Sequence, residues 1–217
     1  MLTTLIKIFF CLLLIPTTLI AKTTRTNKPI TPQKTFTSAK TPIMGTPVCT
    51  KQQMIKFLLK KNPDSKPFAY HVSIFLDEGR REGVRGDVAF AQSILETNYF
   101  RFNNDTQKHQ NNFAGIGSVK KGVRGHSYAS PREGIRAQIQ HLKAYASREN
   151  LRQPLIDVRF HFARKQCLCP YVEDLGGLWA CPGYDTNKHP SLEVAKEKKE
   201  SYGDHIVRLL KAIQETK

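Results

Sequence analysis

The stretch Gly86-Asp87-Val88-Ala89-Phe90-Ala91-Gln92-Ser93-Ile94-Leu95-Glu96 restricts the fold of this chain more than any other, because it is apolar at helical spacing and closes on one carboxylate. Val88, Ala91, Ile94 and Leu95 recur as a helix face, and Asp87 has the side chain of an N-cap, an oxygen able to take an orphan N–H of the first turn. Glu96 then falls about two and a half turns in, at the far end. Apolar neighbours and the partial negative charge of a helix C-terminus both disfavour ionisation there, so its pKa is expected to be raised. A proton donor at neutral pH needs that property.

Directly after Glu96 come Thr97-Asn98-Tyr99-Phe100-Arg101-Phe102, rings with polar groups between them. Beyond a polar loop follow Asn111-Asn112-Phe113-Ala114-Gly115-Ile116-Gly117, then His126-Ser127-Tyr128-Ala129-Ser130. Rings and amides near one buried acid suit a saccharide, which offers apolar ring faces and hydroxyls together. Gln92, one turn before Glu96 on the same face, is placed to hold Glu96 or a sugar hydroxyl.

The N-terminus points to export. Ile8 to Ile20 is an apolar run broken by Pro16, Thr17 and Thr18, too short and interrupted for a comfortable membrane span, so 1–21 reads as a signal peptide ending at Ala21. A retained anchor is the alternative, and membrane contact is expected only through this segment. Residues 22–42 carry five basic residues and three prolines, and no acid precedes Asp64, which describes a basic Thr/Lys/Pro-rich linker. The ordered domain is expected over 43–217, as one domain and a monomer.

The formal net charge is +16, from 34 Lys and Arg against 18 Asp and Glu. Such a field draws polyanions, whether nucleic acid, anionic lipid or an acidic wall polymer; composition does not choose among them, and for an exported chain anionic envelope polymers are the expected partners. The basic residues are dispersed and accompany no recognised motif, so no nucleic-acid partner is expected. Past residue 21 there remain Cys49, Cys167, Cys169 and Cys181, which allow two disulfides in three connectivities or stay as buried thiols. Cys-x-Cys without a matching His or Cys pair is poor zinc spacing, and neither a metal nor another cofactor is expected.

Thr50-Lys51-Gln52-Gln53 has the form of a capping box opening a helix to about Asn62, with Cys49 and Met54 at its staple positions. A second helix is expected over 67–81 with Gly83 as a left-handed stop. Between Phe100 and Ala129 there are glycines and short apolar pieces without a helical stripe, read as loops with a hairpin near Lys121-Gly122. Ser130-Pro131-Arg132-Glu133 starts another helix with Ile135, Ile139 and Leu142 inward. A last helical region spans 191–199 and 203–213. The fold class is mainly α, a helical body with a small irregular or β lobe.

Phe90-Ala-Gln-Ser-Ile-Leu-Glu96-Thr, Asn111-Asn-Phe-Ala-Gly-Ile116 and Tyr128-Ala-Ser130-Pro-Arg-Glu133-Gly134 resemble the bacterial glucosaminidase family, glycoside hydrolase family seventy-three. The tail Gly177-Leu-Trp179-Ala-Cys-Pro182-Gly-Tyr184 with Tyr202-Gly203 is similar to the closing segment of such domains. The resemblance implies a lysozyme-like α body and hydrolysis of the β-1,4 bond after N-acetylglucosamine in peptidoglycan, with glycan strands as partner and Glu96 as general acid. It also places Tyr128, Asn112 and Tyr184 along the cleft. Phe113 is expected to pack rather than stack on sugar, and Trp179 to belong to the core or to floor a saccharide subsite. Between Thr97 and Arg132 the only carboxylate is Asp105, and Glu133 has a capping position. The second catalytic role is therefore assigned to the substrate's N-acetyl group or to a water held by Tyr128. A lytic transglycosylase or muramidase, and a noncatalytic wall-binding protein, are the competing readings.

Overall fold

The structure, a computed structural model, describes residues 39–102, 106–118 and 124–217. The expected signal peptide, most of the linker, Asp105 and the hairpin tip at Lys121-Gly122 lie outside the described residues. Among the described residues seven α-helices make the body: α1 Lys51–Lys61, α2 His71–Glu82, α3 Gly86–Glu96, α4 Pro131–Ala146, α5 Phe160–Arg164, α6 Leu192–Glu197 and α7 Tyr202–Gln214. Short 3-10 turns lie at Pro63–Phe68, Lys108–Gln110 and Val172–Leu175. Among the described residues β-structure is limited to isolated bridges, such as Pro42 with Tyr171 and Met44 with Val84. The segment after α3 is thus irregular, with no β-sheet in its described part.

Helix α3 is the centre. Every residue from Gly86 to Ile94 is buried, with α2, α4 and α7 packed around it. A helix enclosed on all sides needs small or apolar residues everywhere, and any polar ones must be paired. Its start differs from expectation: the N-cap is Arg85, and Asp87 sits inside the first turn. Asp87 Oδ2 accepts from the backbone N–H groups of Val48 and Cys49 and pairs with Arg85 at 2.9 Å, which pulls the carboxylate away from capping and uses it to anchor the entry to α1. The capping box of Thr50 with Gln53 is formed as expected, and both Cys49 and Met54 are buried.

Helix α2 begins at His71, later than expected, because Pro63 and Pro67 hold the preceding residues in a 3-10 turn. It stops at Gly83, whose φ of 76° is the left-handed cap. Ionic clamps join α2 to α4: Glu78 takes Arg132 and Arg136, and Glu82 takes Lys143 at 3.0 Å. Contacts begin ahead of Ile43, since Lys40 pairs with Asp174 at 2.9 Å and Thr41 bonds Glu173 and Val172. The four described cysteines are unbridged; burial pushes the thiols of Cys49 and Cys169 up to about 12, and Cys167 and Cys181 are exposed.

Helix α4 starts as read, with Ser130 accepting from Glu133 N–H and Pro131 in the first turn. Gly134 lets it approach the Asn111 loop: a β-carbon there would overlap the Asn111 carbonyl and lie 3.3 Å from the Tyr128 ring. Gly134→Ala is therefore expected to lower stability by about 1–3 kcal/mol, because a backbone carbonyl cannot rotate away as a side chain can. Chemical denaturation checks this, and an unchanged midpoint would mean that the loop does not rest on α4.

Candidate active site

Three elements meet around Glu96: the end of α3, the loop 111–118, and the segment 175–184 with the start of α7. Past Glu96 the chain turns through left-handed residues, with φ of 48° at Asn98, 56° at Tyr99 and 60° at Phe100. Non-glycine residues there cost roughly 1–2 kcal/mol each. Burial of Phe100 and Phe102, a bond from Phe100 N–H to Thr97 Oγ1 and one from Asn62 Nδ2 to the Tyr99 carbonyl hold the turn. Phe100 and Phe102 thus point inward, joining Phe68, Phe75, Phe90 and Phe113 in an aromatic core with centroids about 6 Å apart. They support the acid from behind and offer no face to a sugar. Phe113 packs, as expected.

Glu96 itself is partly exposed, and its pKa is raised to about 7. Desolvation is the main cause, and hydrogen bonds from Tyr202 and Trp179 pull it part of the way back. Tyr202 Oη donates to Glu96 Oε1 at 2.5 Å. The same hydroxyl accepts from Gln92 Nε2 at 3.0 Å, Gln92 Oε1 accepts from Gln138 Nε2 at 2.8 Å, and Gln138 Oε1 accepts from Ser93 Oγ at 2.9 Å. This row of buried polar groups fixes which way the Tyr202 proton points, because Gln92 can offer it only N–H groups. Gln92 accordingly serves Glu96 through Tyr202.

The loop supplies the opposing wall: a β-carbon on Gly115 would lie 3.8 Å from Glu96 Oε2. Asn112, expected along the cleft, is fully buried and spent on the loop's own backbone, donating to the Ile116 and His126 carbonyls and accepting from Ile116 N–H. Tyr128 lies behind that loop with Ala114, Ile116, Ala137 and Trp179, its hydroxyl buried and without a hydrogen-bond partner. Burial and the charge of Asp157 push that hydroxyl well above its ordinary pKa. Trp179 is placed at the site, bonded to Glu96 and packed edge-on against His141 at 4.7 Å. Tyr184 is half-buried. Glu133 Oε2 accepts from Ala129 N–H at 3.1 Å, a capping bond at the helix start.

Sequence reasoning passed over Tyr202, His141 and Arg159. Tyr202 stands 106 residues from Glu96, and its only signal was membership in the tail motif. A cavity of about 100 Å³ is lined by Gly115 and Trp179 together with His141, Tyr145, Arg159 and Phe162, and it adjoins Glu96 through Gly115 and Trp179. A larger one, about 830 Å³, lies between α1 and α7 behind Leu95; Glu96 lines neither.

The mainly helical, lysozyme-like body, with the Glu96 carboxyl held by a tyrosine and an indole and its pKa raised to about 7, agrees with the class of glycoside hydrolase domains. A family model named Glucosaminidase, mannosyl-glycoprotein endo-beta-N-acetylglucosaminidase, matches residues 72–215, and the chain belongs to that glycoside hydrolase family. An uncharacterized protein of Borreliella burgdorferi is 39% identical over 131 residues, covering 59% of this chain and 64% of that relative. No solved structure matches.

Proposed function

We propose that this protein hydrolyses the β-1,4 bond after N-acetylglucosamine in peptidoglycan, with Glu96 protonating the leaving oxygen. The observation that carries the reading is the Glu96 carboxyl, partly open to the cleft with a pKa near 7, on a domain of the glucosaminidase family. At neutral pH a large share of such carboxyls keep their proton, and loss of that proton as the glycosidic bond breaks costs little. The second role falls to the substrate's own N-acetyl group or to an ordered water, since from Thr97 to Glu133 the chain offers only Asp105 and the capping Glu133 as carboxylates. Export through residues 1–21 brings the enzyme to its polymer, and the +16 charge favours its retention on an anionic wall.

Digestion of purified wall followed by mass spectrometry of the released ends tests this. Reducing-end N-acetylglucosamine is expected. Anhydro-muramic ends would make the enzyme a lytic transglycosylase, reducing-end muramic acid would make it a muramidase, and binding without release would make it a wall-binding protein.

Tyr202→Phe is expected to shift the alkaline limb of kcat/KM. The Tyr202 hydrogen bond favours ionised Glu96, so its removal raises the folded pKa above about 7 and keeps the acid protonated to higher pH. The limb should move alkaline by about one pH unit, the worth of one bond to a charged group, while kcat at the optimum falls as Glu96 loses its orientation. A limb moving toward acid would show that Tyr202 does not donate to Glu96.

A further inference from the structure

The cavity beside Glu96 holds a cation that the proposed chemistry does not use. Arg159 lines it, and its guanidinium lies 4.3 Å from the Phe162 ring centroid, a stacking that leaves the planar edge with its N–H donors open. Arg85 is matched to Asp87, Arg132 and Arg136 are matched to Glu78, and Arg148 and Arg164 are spent on backbone carbonyls. Arg159 forms no ion pair among the described residues. The acid nearest in sequence, Asp157, is already engaged: Oδ1 accepts from the backbone N–H of Arg159 at 2.8 Å, and Oδ2 holds His141 Nδ1 at 2.7 Å. That second bond fixes the imidazole edge-on to Trp179, and His141 lines the cavity. About 100 Å³ is the share of roughly three waters, too little for a sugar ring and enough for a carboxylate group.

We propose that Arg159, with His141 beside it, forms an anion subsite that takes a carboxylate borne by the muramoyl unit next to the scissile bond, on its lactyl ether or on the attached stem peptide. The proposal rests on the glycan reading of the Glu96 cleft and adds how the site tells an acidic glycan from a neutral one. Gly115 and Trp179 line the cavity and also adjoin Glu96, so a group seated there belongs to a sugar already at the acid. An arginine fork matches a carboxylate with two parallel hydrogen bonds, and a neutral N-acetylglucosamine oligomer has no such group to offer.

The test is equilibrium binding by calorimetry, in a Glu96→Gln background that prevents turnover, to three soluble glycans. These are a neutral N-acetylglucosamine oligomer, a peptide-free alternating wall glycan and a peptide-bearing one. A carboxylated glycan should bind about tenfold more tightly than the neutral oligomer, close to 1.4 kcal/mol. Arg159→Gln should bring that ratio to about one, and Arg159→Lys should hold it between. Preference already present for the peptide-free glycan places the carboxylate on the lactyl ether; preference only for the peptide-bearing glycan places it on the stem. Equal binding of all three, or a loss in Arg159→Gln shared equally among them, overturns the subsite. Failure of the parent reading looks different: wild-type protein would release no ends from wall while the binding ratio persisted.

Discussion

Replacing Glu96 by glutamine is expected to lower kcat on purified wall by about a hundred- to ten-thousandfold, the range a positioned general acid supplies. The amide has the shape of the carboxyl and its oxygen can still accept from Tyr202, so the fold and the affinity for wall should survive. Release of reducing ends measures the first, and sedimentation with insoluble wall the second. Activity within tenfold of wild type would remove Glu96 from the chemistry and leave the family membership without its acid. A stability signature accompanies the loss. The folded pKa of Glu96, about 7, lies above its ordinary 4.5, so wild type has its full stability below pH 4.5 and loses part of it as pH rises through 7. The glutamine variant has no such titration, and its thermal midpoint relative to wild type should climb between pH 5 and pH 8.

The two oxygens of Glu96 have different surroundings. Oε1 is held by Tyr202 from α7, and Oε2 faces the Gly115 loop. The acid therefore depends on the first turn of the last helix, reached through a hydroxyl whose orientation is set by Gln92 and Gln138. One wall holds Oε1 through Tyr202, the Gly115 loop faces Oε2, and Trp179 bonds the carboxyl as well.

Much of the helical body can be read from local pattern, because caps and stripes are local. Thr50 with Gln53, Gly83, and Ser130 with Pro131 all mark boundaries through backbone groups a few residues away, and each acts as read. Asp87 shows where this stops: its residue type suits an N-cap, but two backbone N–H groups from 38 and 39 residues earlier and the Arg85 guanidinium hold it instead. Asn112 fails the same way, since an amide that suits a sugar suits a tight loop equally, and only the loop's geometry decides. The raised pKa of Glu96 was legible because apolar neighbours desolvate it. Tyr202 was not, since it reaches Glu96 only through a contact 106 residues away in sequence.

Lys143→Met is expected to cost about 3–5 kcal/mol of unfolding free energy, among the largest losses from a change that touches no cleft residue. Lys143 and Glu82 are both fully buried, with Nζ 3.0 Å from Glu82 Oε2 and 2.8 Å from the Asn150 carbonyl. Glu82 also accepts from the backbone N–H groups of Arg152 and Gln153, so it ties α2 to α4 and to the chain that leaves α4. Methionine fills the lysine's volume but leaves a carboxylate in the interior without its cation, and the uncompensated charge dominates the loss. Against a typical total of about 5–15 kcal/mol, the thermal midpoint should fall on the order of 10 °C. Adding Glu82→Gln removes the stranded charge while keeping an oxygen for Arg152 and Gln153, so the double variant should recover at least about half of the loss. A midpoint unchanged in Lys143→Met, or a double variant worse than the sum of the two singles, would mean that water reaches the pair and that α2 and α4 are joined by packing alone.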